Sequence, residues 1–130
     1  MSLPESDIAF LDRRDATYQV TVESGMTCVV LEQWQLPSGF DHDTADLLIR
    51  LNPGYPDVQP DMWWFDPPVH LANGQSLPAT NAVEQHLGRS WQRWSRHFPA
   101  GQWQAGIDGL ESFLALIRHD LHRSVPETSR

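Results

Sequence analysis

Apolar and polar side chains alternate along residues 18–30, and this alternation constrains the fold more than any other feature of the chain. The alternating positions are Tyr18, Val20, Val22, Met26, Cys28 and Val30. A period of two places one face of a strand against a core. The pair Ser24-Gly25 divides the pattern in the middle and is typical of a tight hairpin turn. We therefore predict two antiparallel strands, with Cys28 on their buried face.

Two further strands are predicted downstream of this hairpin. Residues 46–51 alternate in the same way, and residues 61–65 form an aromatic run between Pro60 and Pro67. Proline cannot donate a hydrogen bond to a sheet, so the two prolines mark the ends of the fourth strand. Turn-rich segments connect these strands in sequence, which predicts a four-stranded antiparallel meander.

The hydrophobic period changes after residue 80. Asn81 and Glu84 have the spacing of a capping box and Gly88 suits a helix end, so a short helix is predicted there. The clearest helical spacing joins Ile107, Leu110, Phe113, Leu114, Ile117 and Leu121. We therefore predict one α+β domain over residues 1–123. Its meander sheet packs against a C-terminal helix, with a short helix and an irregular segment between them, and residues 124–130 form a flexible tail.

Charge and hydropathy exclude several classes of function. The 130 residues are enough for a domain with its own core, and the net charge of −8 repels phosphate backbones, so no nucleic-acid partner is expected. No apolar run approaches the roughly 20 residues of a membrane helix. The first ten residues lack the basic start and apolar stretch of a signal peptide. We therefore expect a cytoplasmic protein that does not bind membranes.

No cofactor or metal site is predicted. His42 lies among three aspartates in a turn-rich loop, but one imidazole with scattered carboxylates matches no defined site. His119 and His122 lie three residues apart on the predicted final helix without a third ligand, so both are interpreted as surface residues. A single cysteine also excludes an internal disulfide and a thiolate cluster.

All nine basic residues are arginine, and the chain contains no lysine. Lysine is normally among the commonest residues, so its absence requires an explanation. A coding preference for arginine is one explanation. The other is that the protein works near chemistry that attacks amines.

The segment NPGYPDVQPDMWWFDPP resembles ubiquitin-conjugating enzymes, in which a strand ends in Tyr-Pro, a proline follows four residues later and an aromatic-rich strand comes next. Tyr55, Pro56 and Pro60 match this pattern, which the non-catalytic RWD relatives share. Together with WQRWSRHF and GIDGLESFL, the chain resembles the prokaryotic branch of this superfamily over roughly residues 3–123. The resemblance implies a UBC-like fold. It also implies two partners, a bacterial ubiquitin-like protein and its activating enzyme, and suggests a role in antiphage defence.

One departure from the family pattern determines the chemistry that the resemblance implies. Ubiquitin-conjugating enzymes carry the modifier on a cysteine about eight residues after His-Pro-Asn, whereas the corresponding PVHLANGQSLPATN has none. An oxygen must then carry the acyl group. Ser95 is the first candidate, because His97 two residues later can act as its general base. Arg96 is a candidate to contact the tail of the modifier or the developing oxyanion.

Other residues remain open as members of this site. Thr80 and Ser76 are alternative carriers by position, and Asp66 and Asp108 are candidates to orient His97.

Tryptophans form the second candidate group. Trp63 and Trp64 point to opposite faces of a strand, so at least one of them is a core residue. We predict that Trp63, Trp64 and Trp94 bind a partner. The alternative is structural, with Trp91, Trp94 and Phe98 packed beneath the final helix.

Three functions remain open. The first is transfer of a ubiquitin-like modifier from an activating enzyme through an oxyester on Ser95, for which a chain without lysine offers no competing amine side chain. The second is a catalytically inactive UBC- or RWD-like adaptor that binds the ubiquitin-like protein or the activating enzyme. The third is an unrelated binding module that uses the tryptophan-rich edge.

Overall fold

A six-stranded antiparallel sheet is the centre of the computed structural model, which describes residues 3–14 and 17–126. The strands are β1 (Tyr18–Glu23), β2 (Met26–Gln35), β3 (Thr44–Leu51), β4 (Trp63–Asp66), β5 (Ala82–His86) and β6 (Arg89–Trp94). They lie side by side in the order β1-β2-β3-β4-β6-β5. Helix α1 (Glu5–Arg13) precedes the sheet, a 3-10 helix spans Ala100–Gln102, and helix α2 (Leu110–Ser124) follows.

The first four strands form the predicted meander, and the α+β class is confirmed. β1 and β2 join through Ser24-Gly25, whose φ values of 53° and 77° fit the two-residue turn of a hairpin. β3 and β4 then pair in chain order. Cys28 is fully buried, as the alternation predicted.

The segment after residue 80 corrects the prediction. The short helix predicted from Asn81 and Glu84 is wrong, because β5 and β6 form a hairpin there. The two turn residues, Leu87 and Gly88, have φ values of 56° and 77°. A glycine with positive φ serves both a helix end and a hairpin turn, so Gly88 did not distinguish them. β6 lies beside β4 and leaves β5 as an edge strand, so the sheet has six strands among the described residues instead of four.

Helix α2 covers one face of the sheet with side chains at helical spacing. Its buried residues are Leu110, Phe113, Leu114, Ile117 and Leu121. Ile107, predicted to share this stripe, lies outside the helix and is 79% exposed. Val125 is buried behind the last helical residue, Ser124, so the folded part extends past the predicted boundary at residue 123. Residues 127–130 of the predicted tail lie outside the described residues.

Asp7 connects α1, α2 and the segment after β3. Its carboxylate is buried and accepts a hydrogen bond from the Leu110 amide at 3.0 Å and one from the Tyr55 hydroxyl at 2.5 Å. Burial and the neighbouring Asp7 carboxylate raise the pKa of Tyr55, so this hydroxyl stays a donor. A negative charge at the start of a helix also complements its dipole. The contact therefore fixes the position at which α2 begins.

The opposite face of the sheet holds a second, smaller apolar cluster. Its buried members are Cys28, Val30, Leu48, Trp64 and Trp91, and no residue of a described helix belongs to it. The turn between β5 and β6 contacts the last residue of β1 at this face. The Leu87 amide donates to the Glu23 carboxylate at 2.9 Å, although β1 and β5 are the two opposite edge strands.

Candidate functional site

Ser95 lies directly after β6, and its side chain is half-buried. Its amide donates to the Ala79 carbonyl at 2.8 Å. Arg93, two residues earlier and therefore on the same side of the extended chain, donates from Nε to Ser95 Oγ at 2.7 Å. Because Oγ accepts this hydrogen bond, the hydroxyl proton is free to point to another acceptor. The site thus contains a half-buried serine whose hydroxyl oxygen contacts a cation.

Glu84 holds Arg93 in place. Arg93 Nη1 lies 2.6 Å from Glu84 Oε2, and Glu84 Oε1 lies 2.9 Å from both Trp64 Nε1 and His86 Nε2. Burial acts to raise the pKa of Glu84, but its hydrogen bonds outweigh burial and hold that pKa below its usual value. Glu84 is therefore ionised at neutral pH and fixes the guanidinium that contacts Ser95.

His97 pairs with a carboxylate from the segment before β4. Its Nδ1 lies 2.6 Å from Asp61 Oδ1, and both side chains are exposed. When Nδ1–H donates to this carboxylate, Nε2 is the ring nitrogen that can accept a proton. Asp61 therefore orients His97. The two candidates named from the sequence do not, since Asp66 pairs with Arg89 and Asp108 accepts a hydrogen bond from a nearby amide.

Ser95 and His97 are anchored separately. Within the described residues the Ser95 side chain bonds to Arg93, the His97 ring bonds to Asp61, and no hydrogen bond joins Ser95 to His97. The two halves of the predicted nucleophile and base pair are thus both present, at neighbouring positions, without direct contact.

Arg96 connects the segment after β6 to α2. Its Nη1 lies 2.9 Å from Asp120 Oδ2, its Nη2 donates to the Pro78 carbonyl at 3.2 Å, and its guanidinium lies 5.1 Å from the centre of the Trp94 ring. These contacts engage the side chain that was predicted to meet the modifier or an oxyanion. In this structure Arg96 holds the backbone around Ser95.

The three tryptophans predicted to bind a partner are buried. Trp63 and Trp94 are 0% exposed and Trp64 is 3% exposed. Trp63 stacks on Trp94 and on Phe98, with ring centres 5.8 Å and 5.9 Å apart. Trp64 lies on the other face of the sheet, in the cluster around Cys28. All three are core residues, so their interpretation as a docking surface is corrected.

The other candidate carriers lack the features of Ser95. Thr80 is buried, and its hydroxyl donates to the Leu77 carbonyl at 3.0 Å. Ser76 is exposed in a loop, and its side chain makes no hydrogen bond within the described part of the chain. Burial raises the pKa of the Cys28 thiol despite the nearby Arg50, so the sulfur stays protonated and enclosed.

No group of three or more His, Cys, Asp or Glu side chains that could hold a metal ion occurs in residues 3–14 and 17–126. Asp41 and His42 bond to each other at 2.8 Å. No described helix has the length and apolar character needed to cross a membrane.

Comparison with protein families tests the resemblance to the prokaryotic ubiquitin-conjugating branch. The model of the prokaryotic E2 family E matches residues 3–124. The chain belongs to this family. Comparison with curated proteins and with solved structures finds no match. Membership in family E confirms the resemblance to the prokaryotic branch of the ubiquitin-conjugating superfamily, and it supports a general role in the conjugation of ubiquitin-like proteins.

Arg93, Glu84 and Asp61 are residues around Ser95 and His97 that were not predicted from the sequence. Arg93 was recognisable, because a residue two positions before Ser95 shares its side of an extended chain. Glu84 was assigned to a helix, so its contact with Arg93 nine residues later was not foreseen. Asp61 reaches His97 from 36 residues away, and no local pattern reveals such a contact.

Proposed function

We propose that this family E protein accepts the C-terminus of a bacterial ubiquitin-like protein from an activating enzyme and carries it as an oxyester on Ser95. One observation carries the proposal. Arg93 Nε donates to Oγ of the half-buried Ser95 at 2.7 Å, whereas the Cys28 thiol is enclosed. A hydroxyl needs such help because it is a weak nucleophile at its ordinary pKa.

The transfer uses the groups that surround Ser95. Oγ attacks the carbonyl carbon of a C-terminus held as a thioester on the activating enzyme. The ester C–O bond forms, the C–S bond breaks, and the thiolate of the activating enzyme leaves with the bonding electrons. The hydroxyl proton passes to Nε2 of His97, which Asp61 orients. Because Ser95 and His97 are not hydrogen-bonded to each other, the proton travels through a bridging water or after rotation of the exposed imidazole.

Arg93 acts on the charge of the serine oxygen. Negative charge develops on Oγ as the proton leaves, and again when the ester is cleaved during onward transfer. A guanidinium that already donates to this atom stabilises both states, and charge-assisted hydrogen bonds are about twice as strong as neutral ones. Glu84 keeps Arg93 in this position. The absence of lysine supports the same proposal, since the chain offers no side-chain amine to attack its own ester.

An adduct assay tests the proposal. The protein is incubated with the activating enzyme, ATP and the ubiquitin-like protein, and the products are separated with and without thiol reductant. We expect an adduct that resists the reductant and is cleaved by hydroxylamine or mild base. Ser95→Ala abolishes the adduct, whereas the control Cys28→Ala retains it. An adduct that survives Ser95→Ala would refute the assignment of the carrier.

A catalytically inactive adaptor is the second candidate function. The separate anchoring of Ser95 and His97 favours it, as does the engagement of Arg96 by Asp120. An adaptor forms no adduct when the activating enzyme is demonstrably active, yet it binds that enzyme or the ubiquitin-like protein in calorimetry. This pair of results would replace the first proposal.

A further inference from the structure

β5 presents an unpaired backbone edge. In a hairpin closed by a two-residue turn, the pair that flanks the turn exchanges hydrogen bonds, and every second pair along the ladder does the same. In the β5–β6 hairpin these are His86–Arg89, Glu84–Trp91 and Ala82–Arg93. The N–H and C=O groups of Val83 and Gln85 therefore point away from β6.

This edge is open to a partner. The Val83 side chain is 63% exposed, Gln85 is also exposed, and neither carries a charge. The backbone groups of both residues have no hydrogen-bond partner among the residues that the structure describes. Exposed edges of this kind pair readily with an added strand, and proteins commonly protect them with charges or proline.

The position of β5 relates this edge to Ser95. β5 is the direct neighbour of β6, which ends one residue before Ser95, and Ser95 N–H donates to the carbonyl of Ala79 just before β5. The Ala82 end of β5 is therefore the end close to the serine. An added strand lies two strand spacings from β6, roughly 10 Å, which about three extended residues can span.

We propose that β5 is the docking strand for the C-terminal segment of the ubiquitin-like protein. The segment pairs with Val83 and Gln85, and its carboxyl end continues past Ala82 to Ser95. It must then run antiparallel to β5, because its last residue lies at the start of that strand. This inference rests on the proposed function, since Ser95 defines which end of the peptide lies near Ala82.

The surroundings of β5 indicate the chemistry of this segment. The outward backbone groups of Val83 and Gln85 supply two donors and two acceptors, which an extended backbone satisfies whatever its side chains are. A cleft of about 250 Å³ beside Val83 is bounded by Pro68, His70 and Asn81, and receives one side chain of the added strand. The segment that fits is extended and uncharged where it faces Val83 and Gln85.

Proline substitution at the edge tests the proposal. Val83→Pro removes an N–H that points outward, so the β5–β6 ladder keeps its hydrogen bonds and the fold is retained. Val22→Pro is the matched control, because Val22 is 53% exposed and points outward from β1, the opposite edge of the sheet. Thermal unfolding of both variants verifies their folding.

The binding probe is a short fluorescent peptide with the C-terminal sequence of the ubiquitin-like protein that the activating enzyme adenylates. Loss of a hydrogen bond and of strand pairing at Val83 predicts a weakening of about ten-fold by anisotropy, with no change for Val22→Pro. Equal affinities of Val83→Pro and the wild type would overturn the proposal, as would equal weakening by both prolines. A peptide N-methylated at alternate residues tests the wild-type chain directly and decides the question if Val83→Pro does not fold.

Failure of this inference is distinguishable from failure of the oxyester proposal. Ser95→Ala retains peptide affinity, since the edge does not involve its hydroxyl. Peptide binding that is sensitive to Val83→Pro, without any adduct in the wild type, supports the β5 edge and removes the oxyester. An adduct that forms normally while Val83→Pro leaves peptide binding unchanged supports the oxyester and rules out the β5 edge as the docking strand.

Discussion

Gln92 gives the sharpest test of how the segment around Ser95 is held. Its side chain is 3% exposed on the α2 face of β6 and makes four hydrogen bonds. Oε1 accepts from the Val69 amide at 2.7 Å and from Trp94 Nε1 at 2.9 Å. Nε2 donates to the carbonyls of Val69 and Thr80, at 3.0 Å and 3.2 Å. One amide therefore ties the segment between β4 and β5 to the sheet.

Gln92→Leu keeps the approximate volume and removes all four hydrogen bonds. It leaves two buried donors, the Val69 amide and the Trp94 indole N–H, without partners. Each such group costs about 1–3 kcal/mol, and the two carbonyls add to this, so we expect the free energy of unfolding to fall by about 4 kcal/mol. Urea denaturation followed by tryptophan fluorescence measures the change.

The control is Gln19→Leu, a glutamine on β1 whose side chain is exposed. Its free energy of unfolding should change by less than about 0.5 kcal/mol. A loss below about 1 kcal/mol for Gln92→Leu would refute the reasoning, because four orphaned buried groups cannot cost so little. The same variant should also raise hydrogen exchange at the Ser95 amide, whose acceptor Ala79 lies in the segment that Gln92 anchors.

Three further predictions concern packing and charge. Cys28 resists iodoacetamide in the native chain and reacts rapidly in urea, because it is buried and its pKa is raised; fast native labelling in mass spectrometry would contradict this. Glu84 has a lowered pKa, so its contribution to the free energy of unfolding is present above its pKa in the unfolded chain, near 4.5, and is lost as the pH falls through its pKa in the folded protein. Urea denaturation should therefore show that the stability difference between the wild type and Glu84→Gln shrinks toward acid pH. Gly109→Ala places a Cβ 2.6 Å from Asp7 Oδ1 and should cost about 1–3 kcal/mol in urea denaturation, whereas Gly101→Ala, with open space around it, should not.

Local pattern was sufficient to predict the type of several elements but not their burial, since Val20 and Val22, placed on a core face by the alternation, are 40% and 53% exposed. β1, β2 and β3 alternate between faces, and α2 repeats its apolar residues at helical spacing, so their types were predictable. Residues 81–88 fit two templates at once, because Val83 and Leu87 lie four apart and Gly88 suits both a helix end and a turn. Pairing of β6 with β4 decided between them, and that contact is tertiary.

The residues of the candidate site also differ in whether local sequence or tertiary structure places them there. Ser95 and His97 were named as candidates from the sequence, because neighbours in the chain remain neighbours in space. Glu84 and Asp61 were not, since each reaches the site through the arrangement of strands. The roles of Trp63 and Trp94 were misjudged for a related reason, because an aromatic residue on a strand has the same sequence signature whether it is covered by α2 or by a partner.

The bond between Leu87 and the Glu23 carboxylate has a consequence for any attempt to dissect the chain. It joins two hairpins that are 64 residues apart, and the first of these hairpins also supplies Cys28 and Val30 to the smaller apolar cluster. A fragment that lacks the first hairpin therefore exposes the rest of this cluster to solvent. Trp64 and Trp91 would then meet water, and the indole emission of such a fragment would shift to longer wavelength. The two edges of the sheet therefore depend on each other for stability, and the chain should unfold in one cooperative transition.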